Sequence, residues 1–193
     1  MIVLVRHGET EANRTGLLLG RADPPLTARG IRQAAALARV LAPIDAPRLV
    51  TSPLTRARQT AAAIGDATRT TPIVDPRLME LDYGEWDERP LAELPADVAA
   101  RWRADPTFAP PGGESLAALR ERVAPCAGEL LDQDQTVIAV SHVSPIKAII
   151  LSALGLPDEL AWRLRLDLAS ISRLGTGPTG PVLVTFNETA HTA

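Results

Sequence analysis

Short continuous apolar runs alternate along this chain with longer segments in which apolar residues recur at helical spacing. Ile2 to Val5 is an unbroken β-branched and aliphatic run, the pattern of a strand buried on both faces of a parallel sheet. Residues 48–52 predict a second short strand, 71–75 a third, and 136–141 the strongest strand signal after the first. Two late strands are expected at 169–174 and 181–186 around a Gly/Pro turn, followed by a frayed tail from Asn187 that includes His191. Thr27 is placed to cap a helix over 28–41 that Pro43 ends. Ser52-Pro53 opens a helix over 54–67, with the proline near the first turn. A long helix is expected from Glu114-Ser115 to about Asp132, kinked at Pro125. Another spans 145–154, stopped by Gly155 and Pro157. Residues 77–90 read as an acidic, aromatic loop, and 91–104 as a short helical insertion before the break at Pro110-Pro111-Gly112-Gly113. Strands alternating with helices predict an α/β fold with a mostly parallel sheet and one antiparallel edge strand. No repeat or linker divides the 193 residues, so one domain over 1–193 is expected, with a lid-like insertion at about 88–111.

Composition narrows the function classes. Hydrophobic residues make up 46% and charged ones 22%, as in a globular protein, and no apolar run approaches a membrane span. The strand begins at Ile2 with no basic region or cleavage site before it, so no signal peptide is expected. Cys126 stands alone and cannot form an intramolecular disulfide, which suits a reducing cytoplasm. A net charge of −3 argues against a nucleic-acid surface. Of the 20 basic residues only Lys147 is a lysine, so a lone arginine means little here and position must carry the argument.

Position is informative at the strand ends. Arg6-His7-Gly8 follows the first strand directly, where open α/β sheets bind ligands, and Glu9-Thr10-Glu11-Ala12 then starts a helix whose free N–H groups favour an anion. Arginine supplies forked donors that match phosphate, and neutral histidine is a nitrogen nucleophile. Arg56 falls in the first turn of the helix after the second strand, and His142 directly follows the strand 136–141. Glu80 lies in a loop rich enough in apolar mass, with Tyr83 and Trp86, to dry a pocket. Parallel neighbouring strands would bring Arg6, His7, Arg56 and His142 to one edge.

Plainer roles fit other residues. Arg58 suits a solvated helix position, and Asp82, Glu85, Asp87 and Glu88 suit a solvated acidic loop better than a metal site. No histidine pair has ligand spacing, so no metal is expected. Trp102 and Trp162 suit core or pocket walls. Ser141 and Ser144 lack the Gly-x-Ser-x-Gly context of a serine hydrolase.

Arg6-His7-Gly8-Glu9-Thr10 with Asn13 resembles the signature of the histidine phosphatase superfamily, the phosphoglycerate mutase-like proteins. The resemblance continues through Pro25-Leu26-Thr27 with Gly30 and Gln33, Ser52-Pro53 with Arg56-Ala57 and Thr60, and Glu80 with Tyr83-Gly84 and Trp86. It ends with Gly112-Gly113-Glu114-Ser115 and Ser141-His142, covering about residues 2–150. It implies a three-layer α/β/α fold and a chemistry with neither metal nor cofactor. His7 would become phosphohistidine. Arg6, Arg56 and His142 would bind the phosphoryl oxygens, Glu80 would protonate the leaving alcohol, and Asn13 and Arg21 would line the phosphate pocket.

Two departures bear on the branch of the family. The segment 88–111 is short and holds only Arg89, Arg101 and Arg103, whereas mutases of the family carry a longer basic insertion. Val143-Ser144 follows His142 where mutases have Gly-Asn. Both favour a phosphatase acting on a small phosphorylated metabolite, and the pattern around His142 resembles family members that act on α-ribazole phosphate, sugar phosphates or a broad range of small phosphomonoesters. Residues 91–108 would select the alcohol, with Trp102 and Phe108 as apolar contacts. The alternatives are mutase-type transfer and a non-catalytic phosphate-binding protein of the same fold. A monomer or homodimer is expected, with neither a nucleic acid nor a membrane as partner.

Overall fold

β1 (Ile2–Arg6) lies at the heart of the molecule because it has no polar face to offer: Ile2, Val3, Leu4 and Val5 are all buried. The computed structural model, which describes residues 1–192, builds a six-stranded sheet around it in the order β3-β2-β4-β1-β5-β6. The other strands are β2 (Arg48–Thr51), β3 (Ile73–Val74), β4 (Val137–Ser141), β5 (Ile171–Gly177) and β6 (Gly180–Glu188). β3, β2, β4 and β1 run parallel, β5 runs against β1, and β6 runs against β5. The antiparallel edge is therefore the β5–β6 hairpin.

Strand alternation sorts the core into two layers. Val3 and Val5, with Leu49, Ile138 and Val140, face α2 (Ala28–Leu41) and α3 (Thr55–Thr68) through Leu37, Leu41, Ala57, Ala61 and Ile64. Ile2, Leu4, Val137 and Ala139 face the other way, toward α5 (Leu116–Leu131) and α6 (Val143–Ala153). Each Val, Leu or Ile side chain among them contributes about 1.5–3 kcal/mol on burial. This is the three-layer α/β/α arrangement. α1 (Glu11–Arg14) is a single turn after β1, and α4 (Ala96–Ala104) lies in the insertion. Thr27 caps α2 by accepting from Gly30 N at 3.1 Å, and Ser115 caps α5 by accepting from Ala118 N at 3.1 Å.

The topology also locates a crevice. The helices after β1 and β2 cover one face and α6 after β4 covers the other, so the chain diverges between the ends of the neighbours β1 and β4. Arg6 pairs in register with Ser141, so His7 and His142 emerge side by side.

Several expectations need correction. Over residues 187–192 the tail is not frayed, and Ala193 lies outside the described residues: β6 runs to Glu188, Asn187 Nδ2 donates to Asp167 at 2.9 Å, and His191 Nε2 bonds the Ala169 carbonyl at 2.8 Å. The third strand shrinks to two exposed residues because it adds only an edge to β2. α3 begins at Thr55, one residue later than expected, with Leu54 as N-cap, and α6 begins at Val143, two residues earlier than expected, with His142 as N-cap. α5, as expected, is one long helix that contains Pro125. A 3-10 turn at Asp158–Arg163 is an element that hydrophobic periodicity does not reveal.

Candidate active site

His7 is held by backbone on every side. Its N–H donates to Ser141 O at 3.1 Å and its carbonyl accepts from Ala169 N at 3.1 Å. The ring Nδ1 lies 2.7 Å from Gly8 O. A carbonyl can only accept, so Nδ1 carries the proton and Nε2 presents a lone pair. Glycine is required next to it by close approach: a Cβ on Gly8 would lie 2.5 Å from Gly30 O, where α2 begins. Gly8 N donates to Thr60 Oγ1 at 3.2 Å and Glu9 N to Gln33 Oε1 at 2.8 Å, tying the turn to α3 and α2. The His7 ring is buried and its pKa lies well below the usual imidazole range, first through desolvation and then through the cations Arg56 and Arg6.

His142 stands with its ring centroid 4.9 Å from that of His7 and has the opposite tautomer. Arg56 Nε donates to His142 Nδ1 at 3.2 Å, which leaves the ring proton on Nε2, 2.7 Å from Ser52 Oγ. Burial, then His7 and Arg56, push the His142 pKa well below the usual imidazole range. Arg56 is fully buried and, among the described residues, has no carboxylate partner. Its Nη1 and Nη2 donate to the carbonyls of Ala22 and Gly20, each at 2.8 Å. Five donors with three committed leave two N–H groups for an anion. The loop supplying those carbonyls is itself fixed by Asp87, whose carboxylate accepts from Gly20 N, Arg21 N and Ala22 N at 2.7–2.8 Å. Asp87 is thus structural rather than solvated.

Glu80 is 2% exposed, and its pKa is raised because desolvation outweighs its hydrogen bonds and the pull of Arg56 and Arg6. Its Oε1 accepts from Leu81 N at 2.7 Å and Ser144 N at 3.2 Å. Arg122 braces that loop by donating to the carbonyls of Arg77 and Met79 at 2.7 and 3.1 Å. Arg6 donates through Nη1 to Leu166 O at 2.6 Å, while its buried Nε has no partner among the described residues. Asn13 uses Oδ1 to accept from Thr10 N at 3.2 Å, completing a capping box for α1. Arg21 lies 3.6 Å from Asp82 and 3.8 Å from Glu114, paired with the acidic loop.

Of the residues selected from sequence, His7, Arg56, Glu80 and His142 are buried together behind the surface. Arg6 and Asn13 line a cleft of about 590 Å³. Beside it lies an apolar pocket of about 210 Å³, and Leu18 and Leu91 border both. Ser52, Asp87 and Arg122 escape a reading of sequence. Ser52 is visible there as a helix opener and as part of the family motif, with no sign of its bond to His142, and the other two are single charges in charged segments. Among the described residues, no three His, Cys, Asp or Glu side chains gather as metal ligands.

Comparison with known proteins places this site in a family. The sequence profile of the histidine phosphatase superfamily (branch 1) matches residues 2–189. The chain belongs to the histidine phosphatase superfamily. It is similar to phosphoserine phosphatase 1 of Hydrogenobacter thermophilus, at 34% identity over 98% of this chain and 93% of that protein. It is also similar to a probable phosphoglycerate mutase of Proteus mirabilis, at 37% identity over 90% of this chain and 83% of that protein. Against three mycobacterial relatives, 37% identical over 89% of the chain, it spans about half their length, 49%. Among solved structures, a phosphoserine phosphatase of Entamoeba histolytica bound to phosphoserine superposes with a TM-score of 0.90 at 29% identity, covering 98% of each chain. Its histidine phosphatase fold therefore extends past β4 into the hairpin and tail that the motifs alone do not reach. Among the described residues, no helix is long and apolar enough to cross a membrane.

Proposed function

We propose that this histidine phosphatase hydrolyses small phosphomonoesters through a phosphohistidine at His7. The observation that carries the proposal is the Nδ1–H bond to Gly8 O, which points an unprotonated Nε2 away from its own backbone while burial and two arginines keep it neutral. Nε2 attacks phosphorus, the bond from phosphorus to the ester oxygen breaks, and the Glu80 proton passes to the leaving alkoxide. Glu80, now a carboxylate, takes a proton from water, which attacks phosphorus and breaks the N–P bond. Phosphate leaves and Glu80 is again protonated. Arg6, through its unpartnered Nε, and Arg56, through its two remaining N–H groups, stabilise the charge on the phosphoryl oxygens. His142 adds its Nε2–H by exchanging Ser52 for a phosphoryl oxygen. Asn13 contributes from the cleft and Arg21 from the acidic loop. This chemistry needs no metal or cofactor.

Hydrolysis is favoured over mutase transfer by the insertion. Arg101 lies 4.8 Å over the Phe108 ring and Arg103 lies 5.9 Å over Trp162, so both cations are stacked on aromatic rings. Relatives named as phosphatases, matched over 93% and 76% of their length, support the same choice. The lone buried Cys126 suits a reducing cytoplasm. The test is phosphate release from p-nitrophenyl phosphate in excess EDTA by the wild type and by His7→Ala. Release that survives EDTA and falls by at least about 10³-fold in the variant is expected for loss of a nucleophile. Equal rates in the two proteins would overturn the assignment.

A further inference from the structure

The chain is poor in aromatic residues, yet nearly all of them gather beside Glu80. Trp86 and Trp102 meet at 5.4 Å between ring centroids, Trp102 and Trp162 at 4.8 Å, Tyr83 and Trp102 at 5.8 Å, and Trp86 and Phe108 at 6.0 Å. Among the described residues only Phe186 stands outside this set of ring contacts. Tyr83, Trp102 and Trp162 wall the apolar pocket of about 210 Å³, together with Leu81 and Val143. An apolar cavity of about 150 Å³ accommodates benzene, so this one is large enough for a ring.

Three features tie the pocket to the leaving-group side. Ser144, which lines it, donates its N–H to Glu80 Oε1, so the pocket abuts the proton donor. Lys147 also lines it. This is the single lysine of a chain that elsewhere places arginine for positive charge. Its ammonium donates to Ala161 O at 2.9 Å and, among the described residues, has no carboxylate partner. Two ammonium protons are therefore uncommitted in mostly apolar surroundings. Finally, the indole N–H groups of Trp102 and Trp162 are buried without partners, although both rings line the pocket. Buried donors left unpaired cost free energy, and a ligand acceptor would recover it.

We propose that this pocket receives the alcohol portion of the substrate and that Lys147 binds an anionic group, such as a carboxylate, carried on its apolar, ring-sized body. The proposal rests on the phosphatase reading for the direction in which the alcohol leaves. Burial lowers the Lys147 pKa to about 8, so the side chain is mainly cationic at neutral pH and an anion beside it would hold it so.

Binding tests the pocket without relying on turnover. Affinities of 4-carboxyphenylphosphonate and phenylphosphonate, which cannot be hydrolysed at the P–C bond, would be measured by calorimetry at pH 7 for the wild type, Lys147→Met and Lys147→Arg. The wild type should prefer the carboxylated compound, and Lys147→Met should reduce that preference by about 10- to 100-fold, the scale of one charge-assisted hydrogen bond. Lys147→Arg should restore part of it. If Lys147→Met fails to fold, Lys147→Gln provides the same comparison, with inorganic phosphate binding as the control for an intact site. No preference in the wild type, or the same preference in the variants, would overturn the proposal. Absence of turnover with any phosphate ester, alongside a preserved Lys147-dependent preference, would instead count against the phosphatase reading.

Discussion

The two imidazoles at the end of the sheet carry opposite tautomers, and their backbone and arginine partners set the difference. Gly8 O holds the proton of His7 on Nδ1, and Arg56 Nε holds that of His142 on Nε2. Removing Ser52 would leave the Nε2–H of His142 buried and unpaired, at about 1–3 kcal/mol. Ser52→Ala is therefore expected to lower the unfolding free energy in urea by that amount and, because substrate exchanges this bond for one to a phosphoryl oxygen, to shift KM more than kcat. A kcat loss larger than the KM change would show that Ser52 stays bonded to His142 when substrate is bound. Acid–base behaviour follows from the same burial. Glu80 must be protonated to act, and its raised pKa extends that condition above the usual carboxylate range. With alkyl phosphates kcat should fall as pH rises through the Glu80 pKa, whereas a nitrophenolate leaving group should weaken that limb. In the phosphorylation step, read from the first turnover, Glu80→Gln should cost alkyl esters about 10²–10⁴-fold and nitrophenyl esters much less. Equal losses for the two ester classes would remove Glu80 from this role. Stability should move the other way at low pH. Both histidines bind protons less readily when folded, so their contribution is complete above about 6.5, the ordinary imidazole value, and is lost as pH falls through their lowered folded values. Urea midpoints compared at pH 5 and pH 7 should show this loss, and it should shrink in His7→Gln.

At the scale of elements, short loops fix long side chains. Asp87 draws three backbone N–H groups of the 20–22 loop onto one carboxylate, and the carbonyls of that loop fix Arg56. Asp87→Ala should destabilise the protein by about 1–3 kcal/mol and lower kcat/KM by roughly 10-fold or more through a displaced Arg56. Loss of stability with unchanged kcat/KM would separate the loop from the site. The apolar run of β1, the Thr27 cap and the histidines after β1 and β4 were legible in sequence because each is a local pattern. Ser52 and Asp87 were not, since each acts on partners about 65 to 90 positions away. Those partners meet only after the sheet assembles. The hairpin β5–β6 was expected in outline, but the ordered tail was not. Its order comes from tertiary bonds of Asn187 and His191, which no local propensity encodes.

At the scale of the molecule, the last residues reach back to the first strand. The 166–170 segment receives Arg6 at Leu166 O and donates Ala169 N to His7 O, and it is held in turn by Asn187 and His191. Asn187→Ala should reduce both thermal stability and kcat/KM, because Asn187 also has the left-handed φ of 56°. Activity unaffected by this change would show that the tail is an appendage. The central claim concerns His7 itself, and it is tested most directly by rapid quench of the enzyme with ³²P-labelled substrate. The account predicts an alkali-stable, acid-labile label on His7 that is absent in His7→Ala. A label that survives acid, or one that persists in the variant, would contradict it.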